Sequence, residues 1–594
     1  MKIRGLKVLF LLSILTIALL STLFFSRMAS ATPDVIEVPN GGSIQAAIYK
    51  AEDGDTIIVE AGVYNECLLI DKSLRLIGES GAVIKGDGTR DTVKIAASGV
   101  AFVGFTVNGS SRSAWSGIYM KSVDNNITGN YILNHYYGIY IFDSSNITLK
   151  NNIMTNNQLN LWVWGLNLFH FLHDIDSSNK VNGKPVYYWL NRRGGQVPLD
   201  AGYVAIINSS NVVVNDLTLT GNGEGVLFAY TKNSIISNVS ASGNLRGIRL
   251  LSSSDNLIVR SVINNNEWCG ILVDTSSSNE IVKNAICGNE HFGIVLSYSP
   301  LLLSRSRDNI VSANNITDNS VGIDLAGAER NVIRWNRIDN DRRNVMFDSS
   351  CYNSLYGNSI TNSERGVWLF RSSNNYIHHN VFIDNTIQVY IQDFISNCIW
   401  NGDYPSGGNY WSDYEGVDLR SGPYQNETGS DGIGDSRYIV DPSTIPLELR
   451  QVDVYPLMAP LYFFDVGTWN GESCAVYVIS NCTVSNFKLD ANESTISFNV
   501  NGSSYGLGFC RVVVQNVIVE EMWTSNFTVL VDGVPLLTIR NWTDSAYTYI
   551  YFAYEHLEHE VAIIPEFSSA LILSLFMLLI LISIAFSTII QNKK

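Results

Sequence analysis

Asn309-Ile310-Val311-Ser312-Ala313-Asn314, Asn331-Val332-Ile333-Arg334-Trp335-Asn336, Asn353-Ser354-Leu355-Tyr356-Gly357-Asn358 and Asn375-Tyr376-Ile377-His378-His379-Asn380 follow one another with their leading asparagines 22 residues apart. A self-similar period of this length marks a repeat architecture. Each copy is a short strand with an apolar residue at its centre and an asparagine at its close. Earlier copies are read at Asn125-x-Ile127-x-x-Asn130, Asn233-x-Ile235-x-x-Asn238 and Asn279-x-Ile281-x-x-Asn284. Between them a second strand opens on glycine, at Gly138-Ile139, Gly225-Val226, Gly247-Ile248, Gly270-Ile271, Gly293-Ile294, Gly322-Ile323 and Gly366-Val367. Such a unit is too small to bury its own apolar face. Stacked coils solve this by laying the inward Ile, Val and Leu of one coil on those of the next, about 4.8 Å away. Ile333 is thus expected between Val311 and Leu355, with Ser312 facing outward. Asparagine recurs because it tolerates the left-handed turn conformation and because its amide can pair with the same residue one coil on.

The ends of a stacked rod expose unpaired strand edges and need covers. Ser43-Ile44-Gln45-Ala46-Ala47-Ile48 reads as the first cover, an N-cap serine followed by Ile44, Ala47, Ile48 and Ala51 on one helical face. Asp53-Gly54-Asp55 turns into the first strand. This opening, through Gly62-Val63-Tyr64 and Leu74-Arg75-Leu76-Ile77-Gly78, resembles the start of pectin-lyase-like β-helix proteins. The Asn/Gly repeats, over roughly residues 35–460, resemble the NosD-type family, which includes many archaeal surface proteins. The resemblance implies an all-β fold, a right-handed parallel β-helix of about 22-residue coils. The family is associated with periplasmic copper binding and with carbohydrate binding and sugar hydrolysis.

Composition narrows the setting. Only 16% of the 594 residues are charged, and the formal net charge is −16, which argues against a nucleic-acid partner, since phosphate binding needs clustered Lys and Arg. Lys2, Arg4 and Lys7 precede an apolar run from Val8 to Phe25 and then Ala29-Ser30-Ala31, the layout of a signal peptide. No charge falls between Glu566 and Lys593. The run Ser568 to Ile590 is long enough for a bilayer, with Lys593 and Lys594 placed inside by the positive-inside bias. The body is therefore expected on the extracellular face, single-pass, with a cytoplasmic C-terminus before any processing. Pro565-Glu566-Phe567 resembles a PEF-type C-terminal sorting signal, which implies archaeosortase processing. The eight cysteines form no C-x-x-C pair, and a disulfide is expected among Cys474, Cys482 and Cys510.

Function is sought where the repeat breaks. The first break, about 162–203, carries Trp162, Trp164, Tyr187, Tyr188, Trp189 and Arg192. Aromatic rings with an arginine beside a long groove suit sugar stacking and hydrogen bonding. The alternative is an ordered loop whose rings pack on the helix wall. The second break ends in Asn426-Glu427-Thr428-Gly429-Ser430-Asp431-Gly432-Ile433-Gly434-Asp435, where Asn426, Asp431 and Asp435 are the candidate calcium ligands. EF-hand spacing would also call on Gly429, which has no side chain to offer.

Paired aspartates of β-helix glycosidases were sought at Asp143, Asp274 and Asp348, each of which reads as a turn cap after a strand. The signatures of polygalacturonases and pectate lyases are absent. His378 and His379 are expected on opposite faces of a strand, unable to share a metal. Past Pro460 the alternating runs Ser494–Val500, Arg511–Val519, Phe527–Val531 and Tyr547–Tyr554 read as a β-sandwich. N-x-S/T sequons stand in it at Asn481, Asn492, Asn501, Asn526 and Asn541. Others stand at Asn108, Asn126, Asn146, Asn208, Asn238, Asn315 and Asn426.

The expected organisation is a signal peptide (1–31), an N-terminal cap and first coil (32–78), β-helix repeats (79–400), a capping segment (401–460), a small β-sandwich stalk (461–564) and a sorting signal with one C-terminal transmembrane helix (565–594). The expected function is a non-catalytic, membrane-anchored surface protein that binds carbohydrate or cell-envelope components. Its alternatives are an extracellular polysaccharide lyase or hydrolase, and a copper-handling protein. No cofactor beyond calcium is expected.

Overall fold

Each coil is three short parallel strands joined by tight turns, and each strand pairs with its counterparts in the coils on either side. The computed structural model describes residues 33–109, 114–393, 395–441, 450–502, 506–524 and 526–566. The expected signal peptide and the apolar run from 568 to 590 lie outside them. Among the described residues no helix is long and apolar enough to cross a membrane.

The chain divides into two compact units, residues 1–188 and 189–594. In the first, one sheet runs from Val35–Val38 to Asp174–Ile175, a second from Gly62–Tyr64 through Lys180–Val181, and a third from Leu68–Ile70 to Leu159–Trp164. The third has the longest strands and is called the long-strand sheet below. The second unit repeats the plan. One sheet runs from Arg193–Gln196 to Asn397–Ile399, another from Thr218–Thr220 to Tyr410–Trp411, and a long-strand sheet from Tyr203–Ile207 to Ile387–Ile391.

The inward column is the one expected. Ile333 pairs with Val311 on one side and Leu355 on the other, and all three are fully buried. Burying such a side chain stabilises the fold by roughly 1.5–3 kcal/mol. Ser312 faces away from this column but is only 6% exposed, covered beside Arg334, so it is not the open surface position expected. The copy assigned to Asn233 is one residue out of step. Ser234 is the ladder residue, Ile236 points inward, and Ile235 is exposed.

The asparagines form ladders. Asn331 Oδ1 accepts both the backbone N–H of Asn309 and its Nδ2–H, at 3.0 and 2.9 Å, and Asn353 does the same for Asn331. Buried polar groups are tolerated only when paired, and here each rung satisfies the next. The left-handed residue is not the ladder asparagine but the one before it. Asp308, Arg330, Tyr352 and Asn374 have φ between 55° and 59°. His379 occupies such a position (φ 55°), so the chain bends after the strand Ser373–His378. Its ring therefore meets that of His378, Nδ1 to Nδ1 at 2.6 Å, which overturns the opposite-face expectation.

Each end is closed by its own device. Helix Ile44–Lys50 is capped by the Ser43 hydroxyl, and the Glu66 carboxylate accepts from the amides of Ile44 and Gln45. In the second unit a ladder terminates on Asp453, which accepts from Asn409 N and Trp411 Nε1 at 2.7 and 3.0 Å. Phe382, Trp411 and Tyr438 stack above the core at 4.3 and 4.4 Å.

The stretch read as an irregular insertion is largely regular. Asp174–Ile175 and Lys180–Val181 continue two sheets, and Asn179 is a ladder residue. Past residue 460 two five-stranded antiparallel sheets face each other. The expected strand through Val519 ends instead at Gln515, and helix Asn516–Trp523 follows. Ile518, Val519, Met522 and Trp523 are its buried face, a helical rather than an alternating spacing. Cys474, Cys482 and Cys510 are buried together in that sandwich core, and the disulfide expected among them is not formed.

Candidate functional site

The outer face of the long-strand sheet carries the chemistry in both units. In the first unit the inward residues Ile118, Ile139 and Leu161 fix the register, so their neighbours must point out. One outward column reads Leu69, Lys94, Tyr119, Tyr140, Trp162. A second pairs Phe142 with Trp164. Tyr140 and Trp162 stack at 4.2 Å and 9°, Phe142 and Trp164 at 4.7 Å and 5°. Tyr119 meets Tyr140 edge-on at 5.5 Å, and Lys121 Nζ lies 5.1 Å over Phe142. At the end of the strip Asp143 Oδ1 stands 3.1 Å from His170 Nδ1. Burial raises the Tyr119 hydroxyl pKa, helped by the charges of Asp91 and Asp143.

Of the residues expected to bind a ligand, Trp164 presents a half-buried ring on this strip. Trp162 belongs to it but is 8% exposed, closed against Tyr140 rather than offered to a ligand. Tyr188, contrary to expectation, points inward, 7% exposed, with its hydroxyl donating to the Phe171 carbonyl at 2.6 Å. The strand Lys184–Leu190 alternates, so Tyr187 and Trp189 lie on the other side, each half-buried. In the second unit the exposed Arg192 guanidinium sits 5.1 Å over the Trp189 ring. Arg192, Arg193, Lys232, Tyr230 and Asn208 line a polar cavity of about 290 Å³.

Asp431 is fully buried, and its carboxyl accepts from Ile433 N at 3.0 Å. Asp435 accepts from the amides of Leu419 and Arg420, and Asn426 is exposed. Asp418 accepts from the amides of Asp431 and Gly432 and is pushed up to about 7 by burial. Among the described residues no group of three or more His, Cys, Asp or Glu is placed to hold a metal ion.

A constellation missed in the sequence lies on the long-strand face of the second unit. Asp324, Met346, Trp368 and Tyr390 form one outward column, with Asp348 and Phe370 in the next. Asp324 is 5% exposed, and its Oδ1 has no hydrogen-bond partner among the described residues. Burial, and then the Asp348 charge, raises its carboxyl to about 7, against the pull of Arg343. Strand spacing and rise place the two carboxyl-bearing positions roughly 8 Å apart. The Arg343 guanidinium lies 4.4 Å over Trp368, and that of Arg365 lies 4.4 Å over Tyr390. Further along the face Glu224 pairs with Arg246 at 3.2 Å, and Arg249 with Asp274 at 3.1 Å. Asp324 was legible only as one more aspartate, because nothing local distinguishes an outward carboxyl that neighbouring coils cover.

A family profile described as "Right handed beta helix region" matches residues 88–173 and 200–328. One described as "Periplasmic copper-binding protein (NosD)" matches residues 297–416. A cell surface glycoprotein of Methanothermus fervidus is 31% identical over 152 residues, 20% of this chain and 25% of that protein. The chain thus spans about a quarter of that relative's length. The A-module of a mannuronan C-5 epimerase from Azotobacter vinelandii is similar at 15% identity and a TM-score of 0.28, over 60% of this chain and 94% of that one. The Dettilon tailspike protein is similar at 13% identity and a TM-score of 0.23, over 87% of this chain and 88% of that one.

Proposed function

We propose that this right-handed β-helix protein of NosD-like repeats is displayed at the outer cell surface and binds glycan along the outer face of its long-strand sheets. The aromatic strip Tyr119, Tyr140, Phe142 and Trp164 carries the reading. Their partly exposed rings, fixed in place on a rigid sheet, suit contact with the apolar surface of pyranose rings, while Lys94, Lys121 and Asp143 supply hydrogen bonds to hydroxyls. Each ring would contribute modestly, so affinity is reached by many contacts along a long chain. The apolar run from 568 to 590 would hold the display at the membrane.

The test is retention of the purified chain on immobilised cell-envelope polysaccharide. Trp164→Ala should weaken retention about 2- to 12-fold, the equivalent of the ~0.5–1.5 kcal/mol of one aromatic contact, without lowering the melting temperature. Unchanged retention would remove the strip from the binding account.

A second reading, acid–base cleavage of the bound glycan, is favoured by Asp324 alone. A buried carboxyl that keeps its proton near neutrality, with the Asp348 charge near enough to help raise it, has the character of the acid in an acid–base pair of carboxyls. Release of reducing ends from the retained glycan, lost in Asp324→Asn, would establish it. Retention with no release by the unaltered chain would rule it out.

A further inference from the structure

The β-helix register sorts the asparagines of this chain into two kinds. In two of the ladders the residue two places after the asparagine is the inward apolar one: Ile258, Ile281, Val311, Ile333, Leu355 and Ile377 follow one set, and Ile286, Ile316, Ile338, Ile360 and Phe382 the other. Core packing forbids Ser or Thr there, so those asparagines cannot stand in an N-x-S/T sequon. An outward asparagine has the opposite neighbours, inward at the next position and outward at the second. At Asn126, Asn146, Asn208, Asn238 and Asn315 the middle residue is Ile127, Ile147, Ser209, Val239 and Ile316, each 4% exposed or less. All five asparagines are exposed. Their sequons are therefore outward by construction.

The placement is also uneven. Asn126 and Asn315 sit on short strands, Asn126–Thr128 and Asn315–Thr317, while Asn146, Asn208 and Asn238 sit in turns. In neither unit does a sequon fall on a strand of the long-strand sheet. On the sandwich Asn481, Asn492, Asn501, Asn526 and Asn541 are all exposed. At Asn126 the Thr128 hydroxyl donates to Oδ1 at 2.5 Å, the pairing of the two sequon side chains.

We infer that four of the outward sequons of the helix, at Asn126, Asn146, Asn238 and Asn315, and four of the sandwich, at Asn481, Asn492, Asn526 and Asn541, carry N-linked glycans, Asn208 lining the polar cavity instead, and that the outer face of each long-strand sheet is left uncovered. The donor class is a lipid-linked oligosaccharide outside the membrane. The asparagine Nδ2 attacks the anomeric carbon, the C1–O bond to the lipid phosphate breaks, and the lipid phosphate leaves with the electron pair. One amide proton is released as the C1–N bond forms. The exposed position of every acceptor lets a glycan remain after folding, while the uncovered face stays open to the ligand proposed above. The inference rests on that surface location but not on the ligand.

The experiment is intact-mass and glycopeptide mass spectrometry on the full chain purified from cells that export it. Glycopeptides should map to the eight positions. Thr128→Val and Thr317→Val, which remove only an outward hydroxyl, should each lower the mass by one glycan, and Thr128→Ser should restore it. A chain of bare polypeptide mass, or glycoforms unaltered by both valine variants, would overturn the inference. A bare chain still retained on polysaccharide would overturn the coat alone and leave the binding reading standing.

Discussion

Replacing Asn336 by alanine removes one rung from a buried ladder. Its Oδ1 accepts Asn314 N–H and Nδ2–H, both at 2.9 Å, and its Nδ2 donates to the Val311 carbonyl at 2.9 Å and Asn358 Oδ1 at 3.0 Å. Asn358 Oδ1 keeps the backbone donor of residue 336, so the acceptors suffer less than the donors. The Asn314 N–H and one of its two Nδ2–H protons lose their acceptor at a site 2% exposed, where water cannot replace it, while the other Nδ2–H keeps the Ile281 carbonyl at 2.8 Å. At ~1–3 kcal/mol for each orphaned group, the cost is about 4 kcal/mol. Repeat coils depend on their immediate neighbours, so the loss should be local. Amide hydrogen exchange read by mass spectrometry should show peptides spanning 309–341 opening about a thousand-fold more readily, with those of 212–242 unchanged. Asn315→Ala, next to Asn314 but exposed, should stay within ~0.5 kcal/mol of the parent. Equal exchange in the two variants would refute the claim that the ladders hold the coils in register.

Ile333→Asp, which buries an unpaired carboxyl between Val311 and Leu355, should cost several kcal/mol, and Ile333→Val only ~0.5–1.5 kcal/mol, both read from denaturant midpoints. Asp453, buried, is pushed up to about 7, so the folded protein holds a proton that the unfolded chain releases from about pH 4 upward. Its contribution to stability therefore falls as pH rises from about 4 to about 7, and Asp453→Asn should gain melting temperature relative to the parent at pH 8 but not at pH 4. The comparison must be with the parent at each pH, because His379, lowered to about 4 by burial, acts in the other direction, losing stability as pH falls below about 6.5. Trp189→Ala should weaken polysaccharide retention with no change in melting temperature, since the ring is only half-buried; a large loss of stability with unchanged retention would make it a packing residue.

The repeat was legible because its physics is local and periodic. A 22-residue spacing, an inward aliphatic and an amide that bridges coils leave the same mark in every copy, and the Val311–Ile333–Leu355 column follows from it directly. The slip at Asn233 arose because Asn233 and Ser234 are both competent turn residues, and only the neighbouring coil decides which of them bridges. His378 and His379 were placed apart by strand alternation. They meet because His379, like the residues before Asn309, Asn331, Asn353 and Asn375, is left-handed, which strand alternation does not anticipate. The strip was half legible: Trp162 and Trp164 stood out as an aromatic cluster, whereas Tyr119, Tyr140 and Phe142 came from other coils and were joined to it only by register. Tyr188 could not be distinguished from Tyr187 without knowing the strand's phase. Asp324 depended entirely on what neighbouring coils place over it.

The account rests on the long-strand face as a glycan-binding surface. The measurement that reaches it most directly is a glycan array probed with the full chain and with the double variant Tyr140→Ala/Trp164→Ala, melting temperatures being matched. The account predicts binding to long polysaccharides over short oligosaccharides by the parent chain, and its loss in the variant. Equal binding by both proteins, or no binding by the parent to any polysaccharide on the array, would contradict it.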